Sequence, residues 1–341
     1  MFTRRRFIAT SAMAMPAFLA KSAEESYHGE IIGHGDFKYR VDKKWCKADP
    51  KKFPVKNCHE MVQTPDGRLF LFTDEAKNNM LIFSTDGELL DSWTLNLKGA
   101  HGLTLNTECD QPFFMLCDTR GRVIKTDLDG KILMELNDKK NRATNPTETA
   151  IGPNGDIYVI DGYGTQYIFQ YNSEGKFIRK FGGKSTQASN KHKFMQGHGI
   201  ALDTREKTPL LICSARLRNE FKWFTLDGKF VKSIYLPGVY MSRPVIDGDF
   251  LYSGVCFGGF ENDYRGWPNR GYIVVLNKDN KVISAPGAHQ PKYSPKGDLL
   301  HLYQKKPVFK NVHDVCVDKD KNLYACQWNA GRVYPYKLYK S

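Results

Sequence analysis

The chain has 341 residues, 41% of them apolar and 26% charged, a composition that can bury a full core and is unlike that of disordered chains. Lys and Arg outnumber Asp and Glu by 13, and losing Arg4, Arg5, Arg6 and Lys21 with a leader leaves about +9. Those cations are scattered, with no basic helix and no run of five like charges, so the sequence predicts no nucleic-acid partner.

In chain order, the first segment is an address. Residues 1–23 carry Arg4-Arg5-Arg6 ahead of an Ala/Met/Phe-rich stretch too short to span ~30 Å of hydrocarbon. They read as an export signal of the twin-arginine type, handled by the twin-arginine export machinery. No small-x-small triplet is ideally placed, so the cleavage point stays open. The expected mature chain is periplasmic or secreted, has no transmembrane helix and is a monomer. Residues 24–341 are expected to form one domain.

From there the chain repeats. Five turns share an acidic residue, Gly or Asn, a charged residue and two apolar ones: Asp86-Gly87, Asp129-Gly130, Glu174-Gly175, Asp227-Gly228 and Asp279-Asn280 open them. The four glycines lie roughly 43 to 53 residues apart. A D-G pair between alternating apolar runs is a hairpin signal. Pro65-Asp66-Gly67, Pro153-Asn154-Gly155 and Asp318-Lys319-Asp320 add a second turn to several repeats. Four short strands per repeat predict a β-propeller blade, and the fold class is all-β. Inner strands at residues 59–62, 101–104, 147–150, 198–201, 244–246 and 313–316 make six blades. The sixth ends one strand short, so Phe37-Lys38-Tyr39-Arg40-Val41 is expected to close the ring as its outer strand. Blade five carries a Gly/aromatic loop from Gly258 to Gly271 and a connection from Pro286 to Phe309, both candidate lids.

Eight cysteines run from Cys46 to Cys326 with no C-x-x-C. Cys117, Cys213 and Cys326 end apolar strands and read as buried thiols; a Cys46 to Cys58 bridge is the remaining pairing.

Four of the nine histidines, His59, His101, His198 and His313, occupy the first place of an inner strand. Inner strands line the channel, so His101, His198 and His313, from alternate blades about 120° apart, aim at one axis. Three neutral imidazoles suit Zn²⁺ with a position left for substrate. Against this stands a hub that merely accommodates histidines bonded to backbone. H-E-x-x-H, G-x-S-x-G, Walker and dinucleotide signatures are missing, which disfavours serine chemistry.

Several phrases resemble the lyase domain of the peptidylglycine alpha-amidating enzymes, a six-bladed propeller of the NHL-repeat class. They are Ala100-His101-Gly102-Leu103, Asn145-Pro146-Thr147-Glu148-Thr149-Ala150 leading to Asp161-Gly162-Tyr163, Gly197-His198-Gly199-Ile200, and Val312-His313-Asp314-Val315. The resemblance covers nearly the whole ring. It implies zinc ligation by His101, His198 and His313, catalysis by Tyr163 and Arg216, and a structural Ca²⁺ between the Met61 and Leu103 carbonyls and the Asp314 side chain. The chain departs from the family at Asp74, where an arginine is expected, at Asn311, where a methionine is expected, and at Gly164, where a cysteine is expected. A carboxylate in place of a cation removes one aid to ionising the tyrosine.

The sequence thus predicts a zinc-dependent, lyase-like enzyme for a small hydroxylated substrate. Tyr163 is the base, Arg216 and Asp74 complete the catalytic set, and His59, Glu148 and Asn311 are expected at the substrate. Two other readings stand: a metal-dependent hydratase, epimerase or hydrolase of a sugar-derived substrate, and a non-catalytic NHL binding propeller that uses Tyr264 and Trp267.

Overall fold

The middle strands of each repeat are unbroken apolar runs, such as Met80–Phe83, Ile157–Ile160 and Tyr272–Leu276, and every residue in these three is buried. A strand with both faces covered needs neighbours above and below, which a ring of face-packed sheets provides. The computed structural model describes residues 27–108 and 111–341; the export signal expected over residues 1–23, and Cys109, lie outside the described residues. Six antiparallel sheets form the six blades, and among the described residues the sole helical turn is a 3-10 turn at Arg216–Arg218. None of those residues forms a helix long and apolar enough to cross a membrane.

Adjacent blades join through separate apolar seams. Phe70 and Phe72 of blade one meet Leu103, Phe114 and Leu116 of blade two, and comparable clusters follow around the ring. The five expected acidic-Gly/Asn turns each join a third strand to a fourth. Their turn residues are left-handed, with φ of 79° to 91° at the four glycines and 61° at Asn280, the conformation such a hairpin requires.

The ring closes as expected. Phe37–Asp42 pairs antiparallel with Tyr336–Lys340, the third strand of blade six, through Tyr39↔Lys340 and Val41↔Leu338. A further strand, Ile31–His34, lies outside it. From there the chain crosses to blade one, and Trp45 donates its indole N–H to the Thr85 carbonyl at 2.9 Å.

Blade five differs from its expected form. The stretch from Gly258 to Gly271 is largely a hairpin: the 11-residue strand Phe250–Phe260 runs beyond the blade and pairs with Asp263–Trp267. Its inner strand is split into Tyr240–Met241 and Val245–Asp247 by Ser242, Arg243 and Pro244, of which Ser242 still donates its N–H to the Gly254 carbonyl at 2.9 Å. The seven described cysteines, Cys46 and Cys58 included, are free thiols, and all but Cys46 are buried.

Candidate metal centre and active-site pocket

All four inner-strand histidines sit where their strand slips register against its neighbour. The irregularities fall between Cys58 and Glu60, Ala100 and Leu103, Gly197 and Ile200, and Val312 and Asp314. A β-bulge adds a residue to one strand and re-aims its side chain. Here the bulged residue is the histidine, and the same irregularity in four blades gathers four imidazoles. Gly102 and Gly199 follow two of them because a Cβ there would lie 2.5 Å from the Thr147 carbonyl oxygen or the Arg243 Cα of the next blade.

The imidazoles touch. Ring centroids of His101 lie 4.6 Å from His313, 4.8 Å from His198 and 4.8 Å from His59, and His198 lies 4.9 Å from His313. One potential ligand atom each from His59, His101 and His313 fall within 4.8 Å of one another. His59 therefore stands in this group where the sequence reading put His198, which packs against the group with its Nε2 3.0 Å from the Tyr163 hydroxyl.

Tautomers are fixed by carbonyls at two of the rings. His101 Nδ1 is 2.8 Å from the Thr147 oxygen and His313 Nδ1 is 3.0 Å from the His59 oxygen. A carbonyl only accepts, so both Nδ1 atoms carry the proton and both Nε2 atoms present lone pairs. Those two Nε2 atoms are 3.2 Å apart. Burial, with neighbouring cationic groups, holds His101, His198 and His313 well below the usual histidine range, so a proton is a poor bridge between them. The Nδ1 atoms of His59 and His198 are buried without any partner. Facing lone pairs and orphaned ring nitrogens on clustered imidazoles fit a shared divalent cation of the zinc type.

Tyr163 stands over the cluster, its hydroxyl 3.1 Å from His101 Nε2 and 3.0 Å from His198 Nε2. It projects from a tight turn pinned by buried Asp161, whose carboxylate accepts N–H bonds from Thr144, Asn145 and Thr165. The residue is 44% exposed while its hydroxyl end is enclosed by imidazoles, the posture of a side chain reaching into a pocket from its rim. Burial raises the phenol above its ordinary value, and Arg216 opposes that rise. Arg216 is itself buried, and its Nε and Nη2 donate to neutral partners, the Met241 carbonyl at 3.1 Å and the Ser242 hydroxyl at 3.0 Å. Its charge remains available to a phenolate or to an anionic substrate.

His59, His101, His313, Tyr163 and Arg216 line a cavity of about 370 Å³, joined by Phe257, Trp328, Lys98 and Gln196. That volume suits a small ligand. Asp74 also lines it, but its oxygens accept from the Asn57 N–H at 2.9 Å and the Asn57 amide at 2.8 Å, and His59 Nε2 lies 3.6 Å away. Burial pushes this carboxyl up, yet His59 and Asn57 outweigh it and hold it at about 2. Asp74 thus orients His59 and stays ionised. Two residues expected at the substrate are placed elsewhere. Glu148 lies buried against Thr104 and Thr149 further along the channel. Asn311 is wholly buried, accepts from the Asn269 N–H and donates to the Trp328 carbonyl, so it fixes Trp328 rather than lining the pocket.

No protein-family model matches the chain. Peptidyl-glycine alpha-amidating monooxygenase of Mus musculus is 30% identical over 287 residues, 78% of this chain and 26% of the mouse protein. Peptidyl-alpha-hydroxyglycine alpha-amidating lyase 1 of Drosophila melanogaster is 25% identical over 231 residues, 61% of this chain and 38% of the fly protein. This propeller is related to the amidating lyases. The chain spans 26% of the length of the mammalian relatives it matches. A gluconolactonase from Xanthomonas campestris shares the fold, with a TM-score of 0.59 at 13% identity over 92% of this chain and 98% of its own. Streptogramin B lyase does so at 0.54 and 14% identity, over 89% and 98%.

Relative to the resemblance read from sequence, two local features have physical reasons. A Cβ on Gly164 would lie 2.4 Å from Asp161 Oδ2 and Thr144 Oγ1, so this turn excludes a cysteine side chain. The oxygens expected around Ca²⁺ do converge, but on Arg243, which donates to the Leu103 carbonyl at 2.8 Å, the Met61 carbonyl at 3.3 Å and Asp314 at 2.9 Å. As arranged, those donors do not fit a calcium ion.

Proposed function

We propose that the chain is a zinc-dependent lyase-like enzyme for a small hydroxylated substrate, similar in reaction to peptidyl-alpha-hydroxyglycine alpha-amidating lyase. The carrying observation is the pair of imidazole lone pairs, His101 Nε2 and His313 Nε2, held 3.2 Å apart by carbonyls behind each ring. His101, His313 and His198 would hold the ion, with His59 beside them oriented by Asp74. When bound, Zn²⁺ supplies a Lewis acid that polarises a substrate hydroxyl.

The remaining chemistry belongs to the chain. Tyr163 Oη takes the hydroxyl proton as the carbon–oxygen bond becomes a carbonyl. The bond from that carbon to its leaving heteroatom breaks, and the leaving atom receives the proton from Tyr163 Oη. Arg216 favours the phenolate and, with Lys98, gives the pocket a cationic side suited to a substrate carboxylate. Phe257 and Trp328, 6.4 Å between ring centroids, form an apolar side. In the same reading, residues 1–23 carry the enzyme out of the cytoplasm.

Tyr163→Phe is expected to lower kcat on peptides ending in alpha-hydroxyglycine by about 10² to 10⁴-fold while bound zinc stays constant. Unchanged turnover would remove Tyr163 from the mechanism. Turnover of sugar lactones or ketosugars, with none of the hydroxyglycine peptides, would replace the lyase reading by a hydrolase or epimerase one.

A further inference from the structure

Arg243 occupies the one blade whose inner strand is broken, between Tyr240–Met241 and Val245–Asp247. The break takes the Arg243 backbone out of the ladder, and its side chain reaches across the axis. Its Cα packs so closely on blade four that a Cβ at Gly199 would come within 2.5 Å of it. From there the guanidinium reaches three other blades. Nε donates to Asp314 Oδ1 at 3.1 Å and Nη2 to Asp314 Oδ2 at 2.9 Å, a side-on fork on blade six. Nη1 donates to the Leu103 carbonyl of blade two at 2.8 Å, and Nη2 to the Met61 carbonyl of blade one at 3.3 Å. Glu60 Oε2, also of blade one, lies 3.4 Å from Nη1 and accepts the Leu103 N–H at 2.6 Å.

We infer that Arg243 is a built-in cation that takes the place of a divalent ion at the hub, binding the blades together without calcium. Two carbonyls and two carboxylates gathered on an axis form a hard-oxygen cage, the donor set that Ca²⁺ prefers. In this chain a fork of five N–H donors satisfies it, with one positive charge and fixed geometry. The same side chain spans the channel from blade five to blades one, two and six. Arg243 also lines a separate cavity of about 710 Å³, formed by residues further along the same inner strands, such as Gln63, Asn106 and Val317.

The test compares calcium content and melting temperature of the whole protein in saturating Zn²⁺, because chelators would also strip the histidine site. The native protein is expected to carry no stoichiometric calcium, and millimolar Ca²⁺ is expected to shift its Tm by less than about 1 °C. Arg243→Ala should melt lower and recover several degrees or more on titration with Ca²⁺, as the vacated oxygens accept the ion. Arg243→Lys, which keeps the charge and loses the fork, should melt between the two with little calcium response. About one Ca²⁺ per chain in the native protein would overturn the inference. So would an Arg243→Ala protein that folds and shows no calcium response. If Arg243→Ala does not fold, the native calcium content and Arg243→Lys decide the matter.

Discussion

His101→Ala is expected to weaken Zn²⁺ binding by more than about 100-fold, since removing only an outer partner of a ligating histidine typically costs 10- to 100-fold. His101 is central to the cluster: its ring contacts His59, His198, His313 and Tyr163. Its Nδ1 is anchored on the Thr147 carbonyl, which aims Nε2 into the cluster. Turnover should fall with metal occupancy. The ring itself should survive, because His101 belongs to the channel and not to the apolar seam formed by Phe70, Phe114 and Leu116. Titration calorimetry with Zn²⁺ on the native and variant proteins checks this; equal affinities would mean that the imidazoles are hub polar contacts only.

The second large effect concerns closure. A chain that begins after Asp42 should fail to fold as a monomer. It would lose Ile32, Tyr39 and Val41, each at most 4% exposed, and at about 1.5 to 3 kcal/mol per buried apolar side chain the sum approaches the whole stability of an ordinary domain. It would also uncover the edge of Tyr336–Lys340, leaving a row of unpaired backbone groups open to other chains. Size-exclusion chromatography and thermal melting report the outcome. A monomer with an unchanged Tm would show that the amino-terminal strand is dispensable.

The ring was legible because its signals are local. A left-handed turn needs Gly or Asn, and Gly87, Gly130, Gly175, Gly228 and Asn280 mark the same turn in five blades. Phe37–Val41 was legible by subtraction, as the one apolar alternation left for an incomplete sixth blade. The histidines could be read because they recur at one strand position, although the bulges that gather them leave no mark beyond the glycines after His101 and His198. His59 carries the same positional signal as the other three.

What stayed hidden depends on contacts between distant residues. Asp74 looks like a cation replaced by an anion, but Asn57 and His59 absorb its charge. Asn311 reads as a pocket residue, yet both of its amide atoms are spent holding Asn269 and Trp328. Glu148 lies one residue from the inner-strand position that histidine holds in other blades, and the two-residue period of a strand turns it away from the pocket. Arg243 was the least visible. Its only mark is the Arg-Pro pair at Arg243-Pro244, where a ladder N–H is missing and the inner strand breaks.

X-ray diffraction from crystals of the intact protein, recorded on both sides of the zinc absorption edge, bears most directly on the imidazole cluster. One anomalous peak per chain, bonded to the Nε2 atoms of His101 and His313 and to at least one further imidazole, is the predicted result. Zinc-supplied crystals with no peak there, and a water or hydrogen-bonded proton between the two nitrogens, would contradict it.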